Sequence, residues 1–353
     1  MTELNALKTK FNEYLDWNQA RIDFLARFIL AIIPAQSVNL TRIAQKFPGT
    51  AQVASHYKRI QRFLKEFPLD FTFLSRLITT ILPLEETWIL CMDRTNWKLG
   101  RTDINILFLA VAYRGAAVPL FWMTLGKAGN SNTHERIVLV RRFLETFGVE
   151  KIRFLTADRE FIGRQWIRFL KDNKIRFRIR IRNNTQIRSA RGGQFMAARL
   201  IVRGLRIGHA TVLNTTREVW GMQLYVAAAR LANDYVIVIT DFDPDHALDD
   251  YLRRWEIETL FGCLKSRGFN LEETHLTHPE RIDKLLALVT LAFCWSYVTG
   301  LARHEKKPIR LKKHGRLAKS IFRKGLEFLD NVISNITCKT PEFYWALNFL
   351  SCT

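Results

Sequence analysis

Cysteine is scarce in this chain. Five occur in 353 residues (Cys91, Cys263, Cys294, Cys338 and Cys352), an odd number with no C-x-x-C spacing. That argues against a disulfide frame and fits reduced thiols in a cytoplasmic protein. His275 and His278 make an isolated H-x-x-H with no cysteine beside it, a poor start for a zinc site. Acidic residues are also short: 33 Asp and Glu against 54 Lys and Arg leave a formal charge of +21. Such an imbalance points to a polyanion as partner, without choosing among DNA, RNA and an anionic membrane. Long apolar runs are absent but for Leu285 to Ala302, which carries no charge across 18 residues. It reaches the minimum for a spanning helix, yet Thr290, Ser296, Tyr297, Thr299 and Gly300 interrupt it, so it reads as a buried core helix and no membrane partner is expected. Met1 to Asp16 is charged and mixed, which predicts no signal peptide.

The chain is nonetheless 48% apolar, ample for a large core, and its length suits two or three domains. The most informative stretch runs from Tyr251 to Lys265. On a helix turning about 100° per residue, Tyr251, Arg254, Glu258 and Lys265 fall within roughly 60° of one another. Ile257, Leu260, Phe261 and Leu264 fill the neighbouring arc, and Glu256 points roughly the opposite way from Tyr251. A solvated face laced with salt bridges would show the same pattern.

Two aspartates upstream give that stripe a chemical setting. Asp93 ends the run Trp88 to Met92, and Asp158 follows Ile152 to Ala157. Both runs are short, apolar and partly β-branched or aromatic, and both predict buried strands. Carboxylates at strand ends, facing Glu258 from a helix, can hold hard divalent ions such as Mg²⁺ or Mn²⁺. Two such ions about 3.5–4 Å apart can serve both oxygens of a phosphoryl transfer. Taken singly, each aspartate also fits a helix cap or turn.

The order Asp93, Asp158, Glu258 with Tyr251-x2-Arg254-x3-Glu258-x6-Lys265 resembles the DDE transposases of bacterial insertion sequences. More narrowly, it is similar to the insertion-sequence-four group, whose signature is that Y-(2)-R-(3)-E-(6)-K spacing. The stretches Asp93 to Lys98 and Asp158 to Phe161 agree with it, and the resemblance covers about residues 40 to 300. It implies a metal triad of Asp93, Asp158 and Glu258 binding two Mg²⁺ (Mn²⁺ as substitute). It also implies phosphate contacts by Tyr251, Arg254 and Lys265, and a hairpin intermediate. In such enzymes an insertion-domain tryptophan stacks on a flipped base; Trp220 is the candidate, and a core role for it stays open. The implied partners are double-stranded DNA (terminal inverted repeats and target) and a second copy of the chain in a synaptic complex. The expected location is the bacterial cytoplasm, with the nucleoid.

Along the chain, residues 1–83 predict a helical DNA-binding domain. Trp17 to Ile33 is one helix and Leu40 to Phe47, capped by Asn39, another. In the next, Val53, Tyr57, Ile60, Leu64 and Phe67 make a core-facing stripe, with Lys58, Arg59, Arg62 and Lys65 off it. That pair suggests a helix-turn-helix-like reader with Lys58, Arg59 and Arg62 on DNA; a plain solvated basic face is the alternative. Residues 84–300 predict an α/β catalytic domain: three strands, helix, strand, helix, strand, the order of an RNase H-like fold. Within it, 183–233 reads as a β-rich insertion.

From Ile175, apolar residues alternate with Arg176, Arg178, Arg180 and Arg182, which predicts all four arginines on one exposed face across which DNA would lie. A blunted sheet edge is the alternative. Asp241, Asp243 and Asp245 could bind metal, but Pro244-Asp245 looks more like a helix cap. Residues 301–353 predict a basic helical C-terminal region, since Arg303 to Lys324 holds ten Lys or Arg and one acid, Glu305. Lys312 and Lys313 are its candidate DNA contacts. The expected function is transposition, by cleavage at element ends and strand transfer. A nuclease without strand transfer, or a transposase retained only as a DNA-binding regulator, are the rivals.

Overall fold

Residues 2–189, 192–313 and 315–350 are described by a computed structural model; Cys352 lies outside them. Helices lead the chain: α1 (Thr2–Asn12), α2 (Gln19–Ala35), α3 (Leu40–Lys46), α4 (Val53–Glu66) and α5 (Phe71–Ile81). Strands β1 (Trp88–Leu99), β2 (Thr102–Tyr113) and β3 (Ala116–Leu125) follow, then α6 (Thr133–Phe147), β4 (Ile152–Ala157), α7 (Arg164–Asp172) and β5 (Phe177–Ile181). Next come β6 (Gln186–Arg188), β7 (Phe195–Ala197), α8 (Ala198–Ile201), β8 (Ala210–Val212), β9 (Arg217–Val219), β10 (Met222–Arg230) and β11 (Tyr235–Thr240). The chain continues through α9 (Ala247–Leu252), α10 (Trp255–Leu264), α11 (Pro279–Lys306), α12 (Ile321–Ser334) and α13 (Thr340–Leu347). These elements fall into two units, one of Met1–Pro83, Trp97–Ile104 and Leu260–Thr353, the other of Leu84–Asn96 and Asn105–Thr259.

The first unit is helical and is centred on α11. Its apolar stretch is long enough to cross a membrane, but it is buried inside the fold, packed by α12, α2, α5 and α4. Gly300 does not end this helix. It lies where α12 crosses: a Cβ there would stand 2.1 Å from the carbonyl oxygen of Ile321, and one at Gly325 would meet the backbone of Ser296. In α4 the buried residues are His56, Ile60, Phe63 and Leu64, whereas Val53 is 44% exposed. Ile60, Leu64 and Phe67 are buried as expected, but His56 and Phe63 take the places of Val53 and Tyr57, and Phe63 stacks on Phe24 of α2 and on Phe67. The basic run after α11 is not helical. Residues 307–313 and 315–320 are outside any helix and carry a bridge between Leu311 and Leu317, with Lys312 and Lys313 exposed, since Pro308 and Gly315 (φ +77°) oppose a continuous helix.

The second unit is a mixed α/β body. Its strands join in the order β3-β2-β1-β4-β5-β11-β10-β9-β6-β7, with β8 beside β10. Strands β1, β4 and β5 are parallel, while β11 and β10 run antiparallel to their neighbours. This arrangement is consistent with the RNase H-like core expected from the sequence. Helix α6 starts where Asn132 and Glu135 form a reciprocal capping box.

Three expectations fail here. First, Arg178 is fully buried, so the arginines do not share one exposed face. Strand β5 is neither an edge nor open: it runs between β4 and β11, and α9 packs on it. Arg176 and Arg182 remain exposed and Arg180 is half-buried. Second, the segment from Tyr251 to Lys265 is not one helix. Between α9 and α10 the backbone tightens, Arg254 N–H donating to Tyr251 O and Ile257 N–H to Arg254 O, three residues back rather than four. Nor does Asp245 cap α9: a short 3₁₀ turn, Pro244–His246, precedes it and Asp243 pairs with His246.

Candidate active site

Strand pairing sets the two aspartates side by side. Met92 of β1 is in register with Ala157 of β4, so Asp93 and Asp158 come next on neighbouring parallel strands. Strand β1 continues past Asp93, whereas β4 stops before Asp158.

The α9–α10 joint then supplies the groups that face them. Tyr251 O–H donates to Asp158 Oδ1 (3.2 Å). Arg254 Nη1 donates both to Asp93 Oδ2 (3.1 Å) and to Glu258 Oε1 (3.2 Å). One guanidinium therefore ties the first and third carboxylates, and one phenol holds the second. Arg180 reaches Asp158 more loosely, at 3.9 Å. Exposure is graded across the group, with side-chain values of 15% for Asp93, 32% for Asp158 and 44% for Glu258.

The electrostatics follow from that burial. Desolvation, reinforced by the nearby Glu258 and Asp158 charges, pushes the Asp93 carboxyl up to about 7 even though Arg254 and the Arg94 N–H oppose it. Burial likewise pushes the Tyr251 phenol up to about 12, so it stays a hydrogen-bond donor. Burial works against the Arg254 charge, but Tyr251, Asp93 and Asp158 hold its pKa above the ordinary value.

Three hard oxygen donors and a surplus of negative charge at Asp93 fit a divalent cation in kind. Among the described residues, however, no three acidic, histidine or cysteine side chains stand close enough to enclose one. Arg254 is the cation between Asp93 and Glu258. The Asp241, Asp243 and Asp245 group forms no metal cluster by the same measure.

Sequence reasoning missed a second layer of contacts. Arg94, next to Asp93, donates through Nε to both oxygens of Glu160 (2.9 and 2.8 Å), and Glu160 also accepts from Ser131 N–H and Oγ. Arg136, buried beneath, donates to Ser131 O and Glu160 O and lies over Phe161. The two aspartate-bearing segments are thus clamped to each other. Charged neighbours within the Asp93-Arg94 and Asp158-Arg159-Glu160 stretches were the available signal. Arg94→Gln and Glu160→Gln are each expected to cost about 1.5–3 kcal/mol, the range for losing hydrogen bonds to a charged group at a half-buried pair. Denaturant melts of both singles and the double should give a coupling above about 1 kcal/mol; additive losses would mean the two residues act independently.

The other candidate residues have surroundings of their own. Glu256 is turned away, as expected, but it is not idle: it accepts from Gly115 N–H and pairs with Arg253 (2.5 Å). Arg176 lies over Phe242. Trp220 sits half-buried at the tip of the β9–β10 hairpin with φ +50°, a left-handed conformation unusual for a bulky residue. In the first unit, Lys265 pairs with Glu272 (2.7 Å) and lies over Trp97. Lys58 and Arg62 are exposed, while Arg59 is tied to Asp23 (3.0 Å).

No curated protein matches the chain closely enough to add a relative. A family model described as a transposase DDE domain matches residues 85–295. That match takes in Asp93, Asp158 and Glu258 and spans more than half of the chain, which therefore belongs to the transposase DDE domain family.

Proposed function

We propose that this is the transposase of a bacterial insertion element of the insertion-sequence-four group, cutting DNA at the element ends and joining it to target DNA. The observation that carries the reading is the bridging of Asp93 and Glu258 by Arg254 while Tyr251 holds Asp158. Asp93, Asp158 and Glu258 would hold Mg²⁺ or Mn²⁺, which supplies Lewis acidity to phosphoryl transfer when bound. Tyr251 keeps its proton and fixes the orientation of Asp158. Arg254 and Lys265 serve the phosphates flanking the cut.

The remaining cations serve the duplex: Lys58, Arg59 and Arg62 on the element end, Arg176 and Arg180 beside the site, Lys312 and Lys313 from the C-terminal loop. Arg178 is withdrawn from that set by its burial. The protein works as a homodimer on paired ends, in the cytoplasm with the nucleoid. Cleavage leaves a 3′-OH that attacks the opposite strand, and the resulting hairpin is reopened before insertion.

A duplex carrying the inverted repeat that flanks the gene tests this. With Mg²⁺ it should show a nick at the element end and then a hairpin. Trp220→Ala should slow the hairpin more than the nick, since base stacking is worth about 1–3 kcal/mol. Equal slowing with a lower melting temperature would make Trp220 a structural residue.

A further inference from the structure

At the C-terminal end of α11, helices α12 and α13 leave a cavity of about 300 Å³, lined by Arg303, Lys306, Lys307, Phe328, Glu342 and Trp345 among others. Phe328 and Trp345 meet edge to face, 5.5 Å between centroids. Each ring carries a cation: the Arg303 guanidinium lies 4.1 Å from the Phe328 centroid and the Lys306 ammonium 4.6 Å from that of Trp345. Among the described residues, the ion pairs here join Lys319 and Arg323 to Glu327, and none joins Arg303, Lys306 or Lys307. Lys324 donates to the carbonyl of Lys307 and is held below the ordinary lysine value by burial and by the charges of Arg303, Lys307 and Lys319. Cations are therefore crowded here beyond what the local acids offset. The loop carrying exposed Arg310, Lys312 and Lys313 begins at the same place.

Aromatic walls ringed by cations match one chemistry: a planar base with a phosphate beside it. A base stacked within a duplex cannot enter, so the occupant is unpaired. We propose that this cavity receives an unpaired nucleotide of DNA, its base against Trp345 and its phosphate on Lys306 and Lys307. The contact of Lys306 with the Trp345 ring is weak at so exposed a lysine and yields to base stacking, which frees the ammonium for the phosphate. Glu342, the carboxylate of the lining, can accept from an exocyclic amino group of the base. The inference rests on the reading that the chain handles DNA, but it concerns a site built only from α11, α12 and α13.

The test uses the full chain and a short single-stranded oligonucleotide of mixed sequence carrying one 5-iodouracil. Photocrosslinking is expected to map to the peptide containing Trp345. Lys306→Ala with Lys307→Ala should weaken single-strand binding at least tenfold and flatten its salt slope by about 0.7, the value for one phosphate. Affinity for the same sequence as duplex should change less than twofold. Trp345→Leu should lose the crosslink and Trp345→Phe should keep most of the affinity, which separates lost stacking from lost folding. Crosslinks mapping elsewhere, or an unchanged slope in the lysine variant, would overturn the proposal. So would equal losses on single strand and duplex. The first nick at an element-end duplex, measured on the same variants, reports separately on the transposase reading.

Discussion

Asp93→Asn is expected to lower metal-dependent cleavage by about 10³-fold or more while making the metal-free protein more stable above neutral pH. Both effects come from the same burial. The folded Asp93 carboxyl is raised to about 7 by desolvation and then by Glu258 and Asp158, from an ordinary 3.8. Between those values the folded state holds a proton that the unfolded state has released. Wild-type stability therefore falls as pH rises from about 4 to 7, by about 4 kcal/mol at most, at about 1.36 kcal/mol per unit. Asparagine has no proton to lose and still offers Arg254 an acceptor. Metal-free melts should thus show the variant ahead of wild type at pH 8 and level with it at pH 4. Mg²⁺ should raise the wild-type melting temperature by binding the folded state, and the variant's much less. A variant less stable than wild type at pH 8 would mean that the Asp93 charge is not held at a cost.

Arg178→Gln and Arg176→Gln, two residues apart, should fail in opposite ways. Arg178 is fully buried, donates to Asp250 (3.0 Å), Thr240 (2.8 Å) and Phe242 O (2.6 Å), and stacks 3.8 Å over the Phe242 ring. Its loss leaves Asp250 and two oxygens without their donor, at about 3–5 kcal/mol. Because Asp250 precedes Tyr251 on α9, cleavage should fall with it. Arg176 is exposed, so its loss should change stability by no more than about 0.5 kcal/mol and flatten the salt dependence of duplex binding by about 0.9. Chemical denaturation and salt-series titrations read both. A stable Arg178→Gln with a flattened slope would return that arginine to the DNA surface.

The contrast shows what period and spacing convey. Alternation along β5 correctly separated isoleucines from arginines, but not which face a later helix would cover; α9 arrives some seventy residues on. Local signals did better. The run Ile152 to Ala157, which predicted a buried strand, is β4 itself. The Tyr251, Arg254, Glu258 stripe was legible from helical spacing, and it survives the break at Arg253 because a tightened turn still brings Tyr251 and Arg254 to the aspartates. The clamp of Arg94 on Glu160 was not legible, since it depends on pairing between strands distant in sequence.

The most direct test of transposition, as distinct from cleavage alone, is a joining assay. A labelled element-end duplex, supercoiled target DNA, the protein and Mg²⁺ are incubated together, with Glu258→Gln as control. Wild type should covalently join the labelled end to the target and Glu258→Gln should not, although it still binds the end. Efficient cleavage with no joined product, or joining that survives the loss of Glu258, would contradict the account.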